Sequence, residues 1–351
     1  MVKLFKQEYS KVELLGRIGQ MEQLAGIRLV EAVEGKAHGC RLLDVWSGNG
    51  LRFQVNADRT LDLSYCEFEG LPLAWRSPAG DVHPAYYEPA GLGWLRSFAG
   101  GLLTTCGLDQ FGSPSEDGET ALGLHGRISN TPADQVNHRA YWDGEAYQLE
   151  INGEIRQAAL FGENLVLRRQ IRTSLGSNCI RIDDVVTNEG FETSPHMLLY
   201  HFNLGFPLVS EHSHLYLTSD ETLPRDEAAR PGLAEWARFQ IPTPGYREQV
   251  FIHRPVPDST GTATIELRNP KVGIGLRWQY AADTLPYLME WKMMGKGAYV
   301  VGIEPANCKG LGGRAATRAK GWLPVLEPGE SRAYHLELEV VRIAGDEEGM
   351  K

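Results

Sequence analysis

Residues Met197 to Leu208 read MLLYHFNLGFPL, and the fold turns on how this stretch is folded. In an extended strand, alternate side chains point to opposite faces. Leu198, Tyr200, Phe202, Leu204, Phe206 and Leu208 then form one unbroken apolar face. The other face starts apolar at Met197 and Leu199, turns polar at His201 and Asn203, and is bare at Gly205. A strand apolar on both faces is a buried strand, here with one face opening onto polar groups. An imidazole or amide buried without a partner costs about 1–3 kcal/mol. His201 and Asn203 must therefore meet each other, a backbone group, water or a ligand. A histidine satisfied inside the core is the simpler reading. Asn203 on the same face, with room beside it at Gly205, favours the floor of a pocket.

The period of two recurs along most of the chain. Arg28–Val33, Cys40–Trp46, Leu51–Val55 and Leu61–Tyr65 read as short strands separated by Gly- and Asn-rich turns. Strands return from residue 139: Tyr147–Asn152, Ile155–Phe161, Leu165–Thr173 and Cys179–Asn188. After Leu215–Thr218, residues 219–247 read as a surface connection. Val250–His253, Ala263–Arg268, Val272–Gln279, Leu288–Met293, Tyr299–Glu304 and Ala333–Ile343 complete the pattern, and a polar tail closes the chain. Helical spacing is confined to residues 9–24, where Ser10 and Glu13 form a capping box ahead of Leu14, Leu15 and Ile18. Residues 76–120 are rich in Gly, Pro and aromatics without sustained period, and long irregular segments often carry binding groups. Many short strands without a fixed repeat or a dividing linker predict an all-β protein, a single large antiparallel sandwich over residues 1–351.

Composition narrows the function. Of 351 residues, 42% are hydrophobic and 23% charged, as expected of a soluble globular chain. A formal net charge of −10, with no basic run, argues against nucleic-acid and anionic-membrane partners. No stretch has the ~20 apolar residues that span a bilayer, and the N-terminus lacks a secretory pattern. Cys40, Cys66, Cys106, Cys179 and Cys308 are odd in number and widely spaced, which predicts free thiols in a reducing, cytoplasmic compartment.

Three further stretches carry candidate chemistry. Gly123–Asn130, GLHGRISN, places His125 and Arg127 around a glycine, on one side if the segment is extended. In Tyr299–Pro305, YVVGIEP, the residues Val300, Gly302 and Glu304 share a face. A carboxyl ending so apolar a strand is expected to have a raised pKa, which suits a general base near neutral pH. Trp291-Lys292 offers a stacking platform and a donor for a sugar.

Taken in order, GLHGRISN, YHFNLGFPL and YVVGIEPAN resemble the motifs of the aldose 1-epimerases, the galactose-mutarotase-like superfamily, and look closest to a divergent epimerase-like branch. The resemblance runs over nearly the whole chain. It implies a β-supersandwich that interconverts the anomers of a free aldose with no cofactor and no metal. On matching positions, Glu304 would be the base that takes the C1 hydroxyl proton and His201 the acid that protonates the ring oxygen. His125 would bind and polarise the substrate near the ring oxygen or C1, with Arg127 as a candidate hydroxyl contact; Asn203, read from the strand face, is a further substrate-binding candidate. The sugar-binding aspartate of the family has no clear counterpart; Asp109 and Asp220 are both candidates. Arg127 and the CKGLGGR run after Glu304 depart from the usual pattern, so Arg127 and Arg314 are candidate clamps for an acidic or phosphorylated sugar.

Two other readings stay open. One is a carbohydrate-binding protein without turnover. The other is a metal-dependent sugar isomerase or lyase, for which His212 and His214 would chelate from one strand face beside Glu211. A nucleophile hydrolase is disfavoured, because no Gly-x-Ser-x-Gly elbow is present and neither Cys106 nor Cys308 has a histidine near in sequence. A homodimer and a monomer are equally compatible with the sequence.

Overall fold

A computed structural model describes residues 1–343; the polar tail read from the sequence lies outside them, apart from Arg342 and Ile343. Strand Leu199–Gly205 has every residue buried, as its double apolar pattern requires. It sits in a six-stranded antiparallel sheet. The strands run in the order Leu103–Cys106, Leu199–Gly205, Ala298–Ala306, Tyr287–Gly295, Gln249–Pro255 and Ser219–Pro224. An eight-stranded antiparallel sheet built around Cys179–Asn188 and Ser331–Arg342 packs against it, and a five-stranded sheet from residues 26–72 adds a third layer. This is the expected all-β supersandwich.

One continuous apolar core joins the three sheets. The face of Leu199–Gly205 carrying Tyr200, Phe202 and Leu204 enters it, and Phe202 meets Trp278 of the eight-stranded sheet edge-on, 6.0 Å between ring centroids. Its opposite face contributes to a second apolar cluster under residues 75–125, including Trp94, Phe98, Leu199, Met289 and Ala306. Two clusters on two faces of one strand is what its pattern dictates.

A buried polar network crosses the first core. The Arg169 guanidinium, with no exposed surface, donates to both carboxylate oxygens of Asp184 at 2.9 and 2.7 Å and to Asp62 at 3.0 Å. Tyr200 donates to Asp184 at 2.7 Å, and the backbone N–H and hydroxyl of Thr105 donate to Asp62 at 2.9 and 2.6 Å. Arg169 and Asp184 belong to the eight-stranded sheet, Asp62 to the five-stranded sheet, and Tyr200 and Thr105 to the six-stranded sheet.

Several expectations change. The helix is only Lys11–Leu15, capped by Ser10 and Glu13 as read, followed by a 3-10 turn at Met21–Gln23; with Leu14 alone buried, little holds a longer one. The two strands read at 147–152 and 155–161 are one strand, Ala146–Ala158. Its Gly153 is an approach point rather than a break: a Cβ there would lie 2.8 Å from Leu61. The connection at 219–247 begins with an edge strand, Ser219–Pro224. All five cysteines are free thiols. No helix among the described residues is long and apolar enough to cross a membrane.

Arg169→Met removes the one cation shared by two buried carboxylates. It should cost about 3–5 kcal/mol, the usual penalty for stranding a buried charge, read as a lower urea midpoint.

Candidate functional site

His201 and Asn203 leave the core strand on the face turned away from the eight-stranded sheet. Pairing with Ala298–Ala306 sets Asn203 opposite Gly302, and the next strand sets Trp291 opposite Gly302 and Met289 opposite Glu304. His201, Asn203, Glu304 and Trp291 therefore share one surface, while residues one position away point into the core. His201 Nε2 lies 3.1 Å from Glu304 Oε1, and both side chains are almost wholly buried. Gly302 makes this possible, because a Cβ there would collide with the Glu304 carboxyl. Gly205 likewise admits Trp75, whose Cα and Cβ would lie 3.1 Å from a Cβ at that position.

His125 reaches the same point from the irregular segment. It sits in a turn with φ +57°, held by its N–H on Gly112 O at 2.9 Å and by its carbonyl accepting from Gly107 at 3.1 Å. Its ring packs edge-on to His201 at 5.6 Å and against Trp94 at 4.8 Å. Phe98 and Trp291 flank the His201 ring at 5.4 and 5.5 Å. Trp75 closes on these two at 6.0 and 6.3 Å. Half-buried His125, Trp75 and Trp291 border the site.

The electrostatics follow from burial. Desolvation raises the Glu304 carboxyl well above its ordinary 4.5, helped by the nearby Glu248 carboxylate. Desolvation and the neighbouring His125 lower His201 well below 6.5, and burial lowers His125 to about 4. The His201–Glu304 approach is not aligned as a hydrogen bond, so Glu304 Oε1 has no donor, and His201 Nδ1, Asn203 Oδ1 and His125 Nδ1 also lack partners. Four orphaned polar atoms around one point mark a place where a polar ligand would be stabilised.

Not every residue singled out from the sequence comes here. Lys292 alternates with Trp291 and points to the opposite face, donating to the carbonyls of Glu235 and Trp236 at 2.7 and 3.2 Å. Arg314 is bound to Asp109 at 2.6 Å and Asp117 at 2.7 Å, so it is no free anion clamp. Asp109, also held by Gln157, is part of this scaffold rather than a hydroxyl acceptor; Arg314 N–H also donates to Gln110. Together they fix the 107–112 loop on which His125 is hung. Arg127 does not point with His125. The positive φ breaks the extended geometry, and Arg127 is exposed on an outer groove shared with Asp109 and Arg314. Asp220 pairs with Arg254 at 2.7 Å. His212 lies in a turn ahead of strand His214–Leu217, so the two histidines do not share a strand face. Among the described residues, no three His, Cys, Asp or Glu side chains cluster as metal ligands.

Sequence reading missed Trp75, Trp94, Phe98 and Glu248. Glu248 accepts from Trp291 Nε1 at 3.0 Å and from Arg225 at 2.9 Å, and so fixes the indole. The aromatic richness of residues 76–120 was the available signal for Trp94 and Phe98; nothing local marks Trp75 or Glu248.

The fold is that of a galactose-mutarotase-like sandwich. A candidate aldose 1-epimerase from Klebsiella pneumoniae has a TM-score of 0.86 at 26% identity, over 92% of this chain and 86% of that one. A galactose mutarotase-like protein from Clostridium acetobutylicum scores 0.65 at 12% identity, over 92% and 100%. A galactose 1-epimerase from Lactobacillus acidophilus scores 0.57 at 13%, over 91% and 100%. No curated protein matches the chain. The chain belongs to the family described as a domain of unknown function (DUF4432), whose model matches residues 37–340.

A carboxyl whose pKa is raised by folding favours the fold fully below its unfolded value, here 4.5, and that contribution is lost as pH rises through the raised value. Glu304→Gln should therefore melt higher than the wild type at pH 8, with the difference shrinking towards pH 4.5. Thermal melts across pH check this. The lowered histidines act oppositely: His125 favours the fold above 6.5, and this is lost as pH falls through about 4.

Proposed function

We propose that the protein interconverts the anomers of a free aldose by opening and reclosing the hemiacetal ring, with Glu304 and His201 as its acid–base couple. The observation that carries this reading is the 3.1 Å approach of the two side chains, with burial shifting them in opposite directions. The likeness to a candidate aldose 1-epimerase supports it.

The two oxygens that exchange protons in the reaction are bonded to one carbon, so the acid and base must stand side by side. Glu304, as carboxylate, takes the proton from the C1 hydroxyl while imidazolium His201 gives one to the ring oxygen; the ring C–O bond breaks and an open-chain aldehyde forms. Rotation about C1–C2 turns the carbonyl. The ring hydroxyl then attacks C1 from the other side, His201 recovers its proton, and Glu304 returns one to O1. The couple ends with the proton count it began with. Asn203 Oδ1 and His125 Nδ1 are free to meet hydroxyls near C1.

Anomeric exchange measured by NMR on a panel of aldoses tests the proposal. Glu304→Gln and His201→Asn should each lose roughly 10²–10⁴ of the acceleration, the usual share of positioned acid–base catalysis, while Arg127→Ala keeps it. The rate should be bell-shaped in pH, since an empty or doubly protonated couple does not work. Saturable binding with no acceleration by wild type for any sugar would instead make this a binding protein.

A further inference from the structure

The ring oxygen of a pyranose is bonded to C5, so the first atom of whatever group C5 carries lies two bonds from the atom that His201 addresses. The aromatic neighbours of His201 other than His125 are Phe98 and Trp291, at 5.4 and 5.5 Å, and Trp75 completes a three-ring corner by packing on both. Phe98 is itself stacked on Trp94 at 4.5 Å, which holds its ring in place. Trp291 Nε1 is already given to Glu248, whereas the half-buried Trp75 indole makes no side-chain hydrogen bond among the described residues. The corner therefore offers mainly ring faces and edges.

Charge points the same way. Glu304 and Glu248 stand beside the corner, and Arg225, the cation whose field reaches Glu304, is bound to Glu248 and Asp226 at 2.9 and 2.7 Å. A carboxylate or phosphate on C5 or C6 would face the Glu248 carboxylate, whose cation Arg225 is already shared with Asp226. A primary alcohol would leave water for aromatic surface and lose a hydrogen bond. Of the four orphaned polar atoms, two belong to the reacting couple, leaving Asn203 Oδ1 and His125 Nδ1 for recognition.

We infer that the site is built for a neutral 6-deoxyaldose, whose methyl group on C5 enters the corner formed by Phe98, Trp291 and Trp75. The inference rests on the anomerase reading for its placement of the ring oxygen at His201. A methyl there buries apolar surface against three rings, whereas a pentose leaves the corner unfilled.

The test compares a 6-deoxyhexose with the hexose of the same ring configuration, the matching hexuronate and the matching pentose. It reads both kcat/KM for anomeric exchange by NMR and affinity by calorimetry. The 6-deoxyhexose should exceed the hexose and the pentose by roughly 10–100-fold, the range a hydrophobic pocket gains from one methyl-sized difference, with the hexuronate lowest. In Trp75→Gln the advantage over the hexose should fall at least several-fold, with the variant's melting curve confirming that it is folded. Equal or faster turnover of the hexose or hexuronate would overturn the inference while leaving the anomerase intact. With no turnover of any sugar, tighter binding of the 6-deoxyhexose would still support the corner, and equal binding would overturn it.

Discussion

One guanidinium holds the sandwich in register. Arg169 bridges Asp184 and Asp62, and through Tyr200 and Thr105 the same network reaches the six-stranded sheet, so three sheets share one buried cation. Hydrophobic burial favours bringing sheets together but says little about how far one slides along another. A bidentate arginine, with its fork geometry, admits one placement. Thr105 and Tyr200 are directly paired across neighbouring strands, and the next pair along is Thr104 with His201. The network that fixes the interior thus fixes, one residue away and on the opposite face, the position of the histidine at the candidate site.

That division between faces explains how a very buried strand can serve both stability and chemistry. Tyr200, Phe202 and Leu204 fill the central core; Leu199, His201 and Asn203 are turned to the second cluster under the irregular segment. His196, a few residues earlier, shows what a purely structural histidine looks like here. Both of its ring nitrogens have partners, Tyr334 at 2.7 Å and Leu108 O at 3.2 Å. His201 has an unpaired nitrogen and an unaligned carboxyl neighbour, at comparable burial. The difference is a set of polar groups desolvated without being satisfied, which a fold tolerates where a ligand completes them.

What could be read from the sequence was whatever two-residue alternation carries. Cys179–Asn188 and the faces of Leu199–Gly205 and Ala298–Ala306 followed their patterns. Strand Asp134–Asp143 was largely missed because it is a mostly exposed edge and has no apolar face to announce it. Direction failed where geometry is non-local. His125 and Arg127 look equivalent in an extended segment, and the successive positive φ angles of His125 and Gly126 send one to the site and the other outside. Lys292 was grouped with Trp291 by adjacency, although strand alternation separates them. Arg314 looked free because its partners, Asp109 and Asp117, lie some two hundred residues earlier. The aromatic walls lie in a segment without period, where composition suggests binding groups but cannot assign them to a place.

Burial also sets the starting point of the proposed reaction. In water a histidine holds its proton more tightly than a glutamic acid does, but desolvation penalises imidazolium and carboxylate alike and pushes the two towards the reverse order. Both shifts act towards the uncharged forms, neutral His201 and protonated Glu304. That is the form the couple would reach after opening a ring, poised to close one. From that uncharged form, opening a ring requires one proton to pass from Glu304 to His201, across the 3.1 Å that separates them. Catalytic hydrogen bonds that are loose in the empty site commonly tighten when substrate binds. A sugar bringing hydroxyls to Asn203 and His125 supplies the dipoles that make the charged form cheaper, so the substrate itself would switch the couple into its ring-opening state.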